Sequence, residues 1–505
     1  SWHRAAGAAD AGPLRISPRD ERSQGARSTF VRCNTRFPEI VRARLVFSEN
    51  RSYCIATFMG TPILSTVAQA LRPPMIYSLH EFQRRLLEPL AEYADVSART
   101  LRDPKNPLAK LPQLRLLGAS NALLHRLTKR YKKLPWGIDE VLAHGKPVSV
   151  AEETILDEPF CKLVRFVRRS EDGDVARRLG NDPKVLVCAP LSGHHATLLR
   201  DTIRTLLQDH DVYVTDWNDA RDVPLTEGDF HLDDYVHTIM RFIRTLGADQ
   251  LHIVSVCQPT VPVLGAVSLL AQAGEKTPRS LTLMGGPIDA RKSPTSVNLL
   301  ATQHSYDWFE KNMIHKVPRG YAGKGRRVYP GFLQLTAFVM MNPKNHFKAY
   351  VRYWVDSIKG ESGESARITH ERFYDEYNSV LDMDAAYYLE TVRVVFQDFA
   401  LASGTWNVRG VRVRPSAITE TAIFTVEGEK DDISGAGQTE AAHDLCANVP
   451  DDKRKHYVAI GAGHYGIFSG RKWREGVYPQ IRDFIRQHGG ATKAIAASNG
   501  SAHAS

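Results

Sequence analysis

The chain has few cysteines, and no two of them are spaced as a metal knuckle requires. Cys33, Cys54, Cys161, Cys188, Cys257 and Cys446 lie far apart in 505 residues, with no His-rich tract beside them. This argues against a zinc site or a disulfide scaffold and suits a compartment that keeps thiols reduced, so no metal is expected. Long apolar runs are also missing. The best candidate, 54–71, is interrupted by Gly60, Thr61 and Pro62, well short of the ~18 consecutive apolar residues of a spanning helix. No transmembrane segment is therefore expected. Lysine is absent from the first 74 residues, which carry eleven Arg against five acids, +6 of the whole chain's +10. An excess of +10 over this length is mild; it permits an anionic partner without requiring one, and no nucleic-acid partner is expected.

The lysine break marks a boundary, because Met75 opens a patterned stretch. Residues 1–74 are expected to be a non-native or disordered basic extension. Upstream sequence from an early start assignment is the favoured reading, with a targeting segment or a basic arm as the others. The remainder is globular in composition, 43% hydrophobic and 24% charged. Leu79, Phe82, Leu86, Leu87, Leu90 and Tyr93 recur at helical spacing, and so do Leu114, Leu116, Leu117, Ala122, Leu123 and Leu127. A helical N-terminal region is accordingly placed at 75–180. The basic run Arg126, Lys129, Arg130, Lys132 and Lys133 reads as a solvated face at a helix C-terminus.

From Lys184 short apolar runs alternate with helical ones. Strands are expected at 185–188, 212–215, 251–256 and 281–284, with helices at 196–208, 231–246 and 261–272 between them. After an aromatic-rich stretch the rhythm returns, with strands at 422–426 and 456–460 and helices at 438–446 and 472–488. Such alternation implies an α/β fold with a mostly parallel central sheet. Core segments at 181–288 and 416–488 would enclose a helical lid insertion at 289–415. The Ala- and Ser-rich tail 489–505 is expected to be disordered.

The strand 251–256 runs directly into Cys257-Gln258-Pro259-Thr260 and a helix. This is the context of a nucleophile elbow, where a reactive side chain is lifted above a sheet on a sharp strand-to-helix turn. A helix N-terminus there favours thiolate, the reactive form of cysteine. Cys188 lies within a strand and reads as packing. The fold orders its residues nucleophile, acid, base. The loop after 422–426 offers the adjacent Asp431 and Asp432, of which Asp431 is preferred. The Gly-rich loop after 456–460 offers His464, ahead of His443 and His456. An oxyanion hole would use the backbone N–H of Gln258 and that of Leu191 or Ser192, from the loop after 185–188. His194 and His195 lie close to that loop and are given no catalytic role.

Val254-Ser-Val-Cys-Gln-Pro-Thr260, Pro190-Leu-Ser-Gly-His-His195, Asp216-Trp-Asn-Asp-Ala-Arg221, Gly285-Gly-Pro-Ile-Asp289 and the His464 loop resemble intracellular polyhydroxybutyrate depolymerases. The similarity extends from about Met75 to about His488. It implies an α/β-hydrolase fold and a Cys257–Asp431–His464 triad without a metal. It also implies a substrate of amorphous polyester stored in cytoplasmic granules, whose surface would be the partner. No cofactor is expected, although the resemblance allows coenzyme A as an acyl acceptor. The nearest rival is a polyhydroxyalkanoate synthase, whose elbow reads G-x-C-x-G; here Ser255 and Pro259 stand at its outer positions. A general esterase or thioesterase, and a granule-coating protein with a decayed hydrolase fold, are further alternatives.

Overall fold

The computed structural model describes residues 76–489 apart from Pro104; the expectations for 1–74 and for the tail beyond 489 fall outside these residues. The chain enters through two helices, α1 (Ile76–Arg102) and α2 (Pro112–Thr128). They pack on each other through small residues, Ala91, Ala94 and Ala98 on α1 and Gly118, Ala119 and Ala122 on α2. Small side chains let two helix backbones approach closely. The larger apolar residues at helical spacing face outward instead: Phe82, Leu86, Leu90 and Tyr93 are all exposed.

The core is a nine-stranded sheet. Its strands are β1 (Glu140–Ala143), β2 (Lys146–Asp157), β3 (Cys161–Arg169), β4 (Lys184–Cys188), β5 (Asp211–Trp217), β6 (Leu251–Val256), β7 (Ser280–Met284), β13 (Ala422–Gly428) and β14 (Arg454–Ala459), in the order β1-β2-β3-β5-β4-β6-β7-β13-β14. From β5 to β14 every pairing is parallel, and β1 to β3 add an antiparallel edge. The helical region expected at 75–180 is therefore corrected: helices occupy its first half and 173–179, and 140–169 belongs to the sheet. The physical reason is periodicity. In 140–143 Val141 and Ala143 are buried and Glu140 and Leu142 exposed, an alternation that suits a half-buried antiparallel edge.

Helices α3 (Gly173–Leu179), α4 (Arg200–Leu206), α5 (Leu232–Leu246) and α6 (Thr260–Gln272) connect the first strands. The boundary at 196 differs from the expected one, since Ala196–Leu199 forms a 3-10 turn before α4. Helix α6 is apolar on nearly every side and buried over eleven of its thirteen residues, as such a composition demands. The strand from 456 begins two residues earlier, and the helix expected at 438–446 shrinks to α13 (Ala442–Leu445). The last helix, α14 (Tyr478–Gln487), follows a π turn.

Between β7 and β13 lies an insertion containing α7 (Ser296–Gln303), α8 (Tyr306–Met313), β8 (His315–Lys316), β9 (Arg327–Tyr329), α9 (Gly331–Met341), α10 (Pro343–Ile358), α11 (Glu364–Tyr377), β10 (Met383–Asp384), α12 (Ala385–Thr391), β11 (Asn407–Val408) and β12 (Val411–Arg412). Polar residues fasten it to the core. Arg326, fully buried, pairs with Asp384 at 2.8 Å and donates to the carbonyls of Val223, Pro224 and Gly228. Removing one partner of a buried pair strands the other's charge. Arg326→Ala is therefore expected to cost about 3–5 kcal/mol, read as a lower urea midpoint.

The basic run after α2 is also corrected. It fastens elements together instead of forming a solvated face. Arg126 is buried and pairs with Asp375 at 3.0 Å, Lys129 pairs with the same carboxylate at 2.7 Å, and Lys133 reaches Asp216 at 2.6 Å. Acidic partners more than 80 residues away in the chain decide this, and no local pattern displays them.

Candidate active site

Three of the predicted residues follow the parallel strands β6, β13 and β14 at the carboxyl edge of the sheet, where open α/β sheets bind ligands. Cys257 follows β6 with φ at 68°, a left-handed conformation rare for any residue but glycine. Its backbone N–H donates to Met284 O at 2.7 Å, and its carbonyl accepts from Thr260 N at 3.1 Å. The strand thus turns at Cys257 and α6 begins at once. The side chain is half-buried, unlike those of Cys161, Cys188 and Cys446, which are buried.

Gly285 and Gly286, at the end of β7, make room for this turn. A Cβ on Gly286 would come within 1.9 Å of Thr260 Oγ1 and 2.5 Å of the Cys257 carbonyl oxygen. A Cβ on Gly285, itself at φ 55°, would sit 3.3 Å from both Asp431 Oδ2 and His464 Cε1. Gly286→Ala is therefore expected to cost about 1–3 kcal/mol by overpacking and to lower ester cleavage as the elbow shifts. Denaturant unfolding and initial rates on one soluble ester would measure the two effects.

Asp431 lies beyond β13. Its Oδ1 accepts from the N–H groups of Ile433 and Ser434, both at 2.9 Å, and its Oδ2 faces His464 Nδ1 at 2.8 Å. Both side chains are almost wholly buried, whereas Asp432 is exposed. The environment thus separates two carboxylates that their chemistry leaves equivalent.

His464 follows β14, held by the close packing of 428 against 462 and by Lys430 N donating to Ala462 O at 2.8 Å. Burial disfavours its charged form, but the Cys257 sulfur and the Asp431 carboxylate outweigh burial. The imidazole pKa is raised well above the usual histidine value. One ring nitrogen faces Asp431, and the Cys257 sulfur lies close enough to raise the ring's pKa. The structure thus brings Cys257, His464 and Asp431 together.

The loop after β4 carries Leu191, buried, and Ser192, half-buried. Its start is held by Ala189 N donating to Thr215 Oγ1 and by Trp217 Nε1 donating to Ala189 O, both at 2.9 Å. His194 donates from Nε2 to Tyr377 O at 3.0 Å, and Gly193 O accepts from Leu381 N at 2.8 Å. Burial depresses His194 to about 4, and burial with Lys133 and Arg221 depresses His195 to about 3. Both rings are neutral at pH 7, and His194 fastens the loop to the insertion. The Gln258 side chain is buried beside the Tyr387 hydroxyl.

Sequence reasoning missed Glu427. Its carboxylate accepts from the N–H groups of Gly437, Thr439 and Glu440, at 2.8, 2.8 and 3.0 Å. Thr439 in turn exchanges hydrogen bonds with the backbone of Gly286 at 2.8 and 2.9 Å, so Glu427 supports the elbow from below. Its signal was a buried acid at the end of an apolar strand. The Asp216–Arg221 motif proves to be a fastening. Asp219 accepts from Asp382 N at 3.1 Å and pairs with Arg221 at 2.9 Å, while Asp382 accepts from Tyr77 Oη at 2.5 Å and Gly331 N at 2.9 Å. Among the described residues no group of three or more His, Cys, Asp or Glu side chains is arranged to hold a metal ion, and no helix is long and apolar enough to cross a membrane.

The strand order, the left-handed residue between β6 and α6, and the placement of residues 431 and 464 after β13 and β14 define an α/β hydrolase. Residues 285–489 match the family described as PHB de-polymerase C-terminus. Over those residues the chain is similar to the polyhydroxybutyrate depolymerase family. The matched span includes Asp431 and His464 and begins after Cys257.

No curated protein matches the chain. Similar solved structures include a thermophilic esterase from Thermogutta terrifontis, 13% identical, covering 69% of this chain and 98% of its own, with a TM-score of 0.34. A monoacylglycerol lipase from Paleococcus ferrophilus is 13% identical, covering 61% and 96%, with a TM-score of 0.36. A 2-hydroxy-6-oxo-6-phenylhexa-2,4-dienoate hydrolase from Rhodococcus sp. strain RHA1 is 12% identical, covering 67% and 99%, with a TM-score of 0.34.

Proposed function

We propose that the protein cleaves ester bonds of amorphous poly(3-hydroxybutyrate) through Cys257, His464 and Asp431, acting on cytoplasmic storage granules. The observation that carries this reading is the Asp431–His464 hydrogen bond beside a sulfur raised on a left-handed turn, near enough to act on the imidazole. The Cys257 thiolate attacks the ester carbonyl. Negative charge gathers on the carbonyl oxygen, facing the N–H of Gln258 and that of Leu191 or Ser192. The imidazolium of His464 then protonates the departing alkoxide, and Asp431 keeps its ring in the required tautomer. The acyl group remains on sulfur as a thioester. In the second half His464 takes a proton from water, which attacks the thioester and frees the hydroxy acid and the thiol. These steps call for no cofactor; a thiol such as coenzyme A could replace water as acceptor.

The experiment supplies purified protein with amorphous poly(3-hydroxybutyrate) particles and, separately, with 3-hydroxybutyryl-CoA. Release of 3-hydroxybutyrate or its oligomers from the particles is the expected result. Polymer growth with release of CoA would overturn it in favour of a synthase. Cleavage of short soluble esters alone would point to a general esterase.

A further inference from the structure

We propose that α9 is the surface by which this protein docks on amorphous polyester, beside the loop that carries Leu191 and Ser192. The inference rests on the substrate reading above and assigns it a place on the molecule. Helix α9 reads Gly-Phe-Leu-Gln-Leu-Thr-Ala-Phe-Val-Met-Met, with eight apolar side chains and no charge in eleven residues. A helix apolar all round belongs in a core or a membrane. Helix α6 obeys that rule; α9 does not, because beyond the buried Gly331 its side chains are only half-buried and Ala337 and Met340 are exposed. Its neighbour α10 adds an exposed row at every fourth residue, Phe347, Val351 and Val355. Exposed apolar side chains gathered on two successive helices are a mark of an interaction site.

The position of α9 selects the occupant. Its first residue is held, since Gly331 N donates to the buried Asp382 and a Cβ there would meet Leu381 O at 2.6 Å. The helix then crosses the loop after β4. Gln334 is so close to Gly193 that a Cβ on the glycine would lie 2.4 Å from Gln334 Cγ, and Phe338 faces His194 with ring centroids 5.2 Å apart. Helix α9 itself carries no charge, and the cations that follow it in sequence, Lys344, Lys348 and Arg352, are exposed on α10. An amorphous polyester has no net charge along its chain and presents methyl groups, and taking such surface out of water favours association. A polymer surface resting on α9 would lie against the same loop that supplies a backbone N–H to the reacting carbonyl.

The test is hydroxyl-radical footprinting of the full chain, carrying Cys257→Ala so that particles are not consumed, with amorphous poly(3-hydroxybutyrate) particles as probe. In the free chain Met340 and Met341 are expected to oxidise readily, while the buried Met284 and Met383 stay protected. Adding particles should slow oxidation at 340 and 341 several-fold and leave the buried pair unchanged. In co-sedimentation, Met340→Glu should lower the bound fraction several-fold and Met340→Leu should retain it. Unchanged oxidation on particles that do carry the protein would place docking elsewhere and overturn the proposal. So would protection of both methionines in the free chain, with sedimentation velocity telling a second copy from residues 1–75 as the cover. Failure of the substrate reading would appear separately, as active protein that releases no 3-hydroxybutyrate.

Discussion

Cys257→Ala is expected to lower ester cleavage by about 10⁴-fold or more while the protein stays folded, because the variant loses the proposed nucleophile and keeps the turn that holds it. In hydrolases of this logic, removing one member of the catalytic group leaves roughly 10³–10⁴-fold of the rate over water, from the oxyanion donors and binding alone. The backbone at 257 has φ of 68°, and a left-handed non-glycine residue costs about 1–2 kcal/mol. Alanine bears that cost as cysteine does, so its urea midpoint should stay close to the parent's. Cys257→Gly should gain about 1 kcal/mol at the same position and be equally inactive, which would show strain held at a functional residue. Cys257→Ser should form an oxyester too slowly to approach the parent rate, because a hydroxyl is far less acidic than a thiol. Initial rates on one soluble ester, with urea unfolding of each variant, measure all three. Full activity in Cys257→Ala would end the assignment of the elbow.

The second large effect concerns Asp431→Asn. Burial works against a charged His464, and the Cys257 sulfur and the Asp431 carboxylate together raise its pKa well above the usual histidine value. A raised pKa keeps the imidazolium, and with it the proton for the leaving alkoxide, until pH climbs past the shifted value. Cleavage should therefore hold up through neutral pH and fall on an alkaline limb set above the ordinary histidine range. Asparagine removes the negative charge and offers an amide where a carboxylate accepted, so the imidazole loses part of its stabilisation and can settle in the wrong tautomer. A rate loss of about 10³–10⁴-fold is expected, with the alkaline limb moved to lower pH. The pH–rate profile separates this from mere misfolding, which would lower the whole curve without moving its limb. Asp432→Asn should leave both rate and limb close to the parent's, since that side chain is exposed.

Much of the architecture was legible because local periodicity carried it. The run Leu251–Val256 is mostly apolar and buried at every residue, as suits a central parallel strand, and the turn residues after it announced the elbow. The Gly-rich loop around His464 was legible for the same reason. The antiparallel edge at 140–169 was not read, because its charged residues hide a two-residue alternation among acids and bases. The outward stripe on α1 ran against expectation, since large apolar residues at helical spacing usually mark a core face, while here Ala91, Ala94 and Ala98 do the packing. Arg126 and Lys133 read as solvent-facing because their partners, Asp375 and Asp216, are brought to them only by the fold.

The amino-acid sequence by itself determined the alternation of strands and helices, the strand-to-helix turn at Cys257 and the order in which residues 257, 431 and 464 arrive. Those features depend on neighbours within a few positions, where side-chain pattern and backbone preference act directly. Tertiary structure alone decided between Asp431 and Asp432, recruited Glu427 beneath the elbow, and left α9 half open over the loop after β4. These outcomes depend on which distant groups share a small volume. Burial and hydrogen-bond partners are properties of that shared volume, and no stretch of chain holds them on its own.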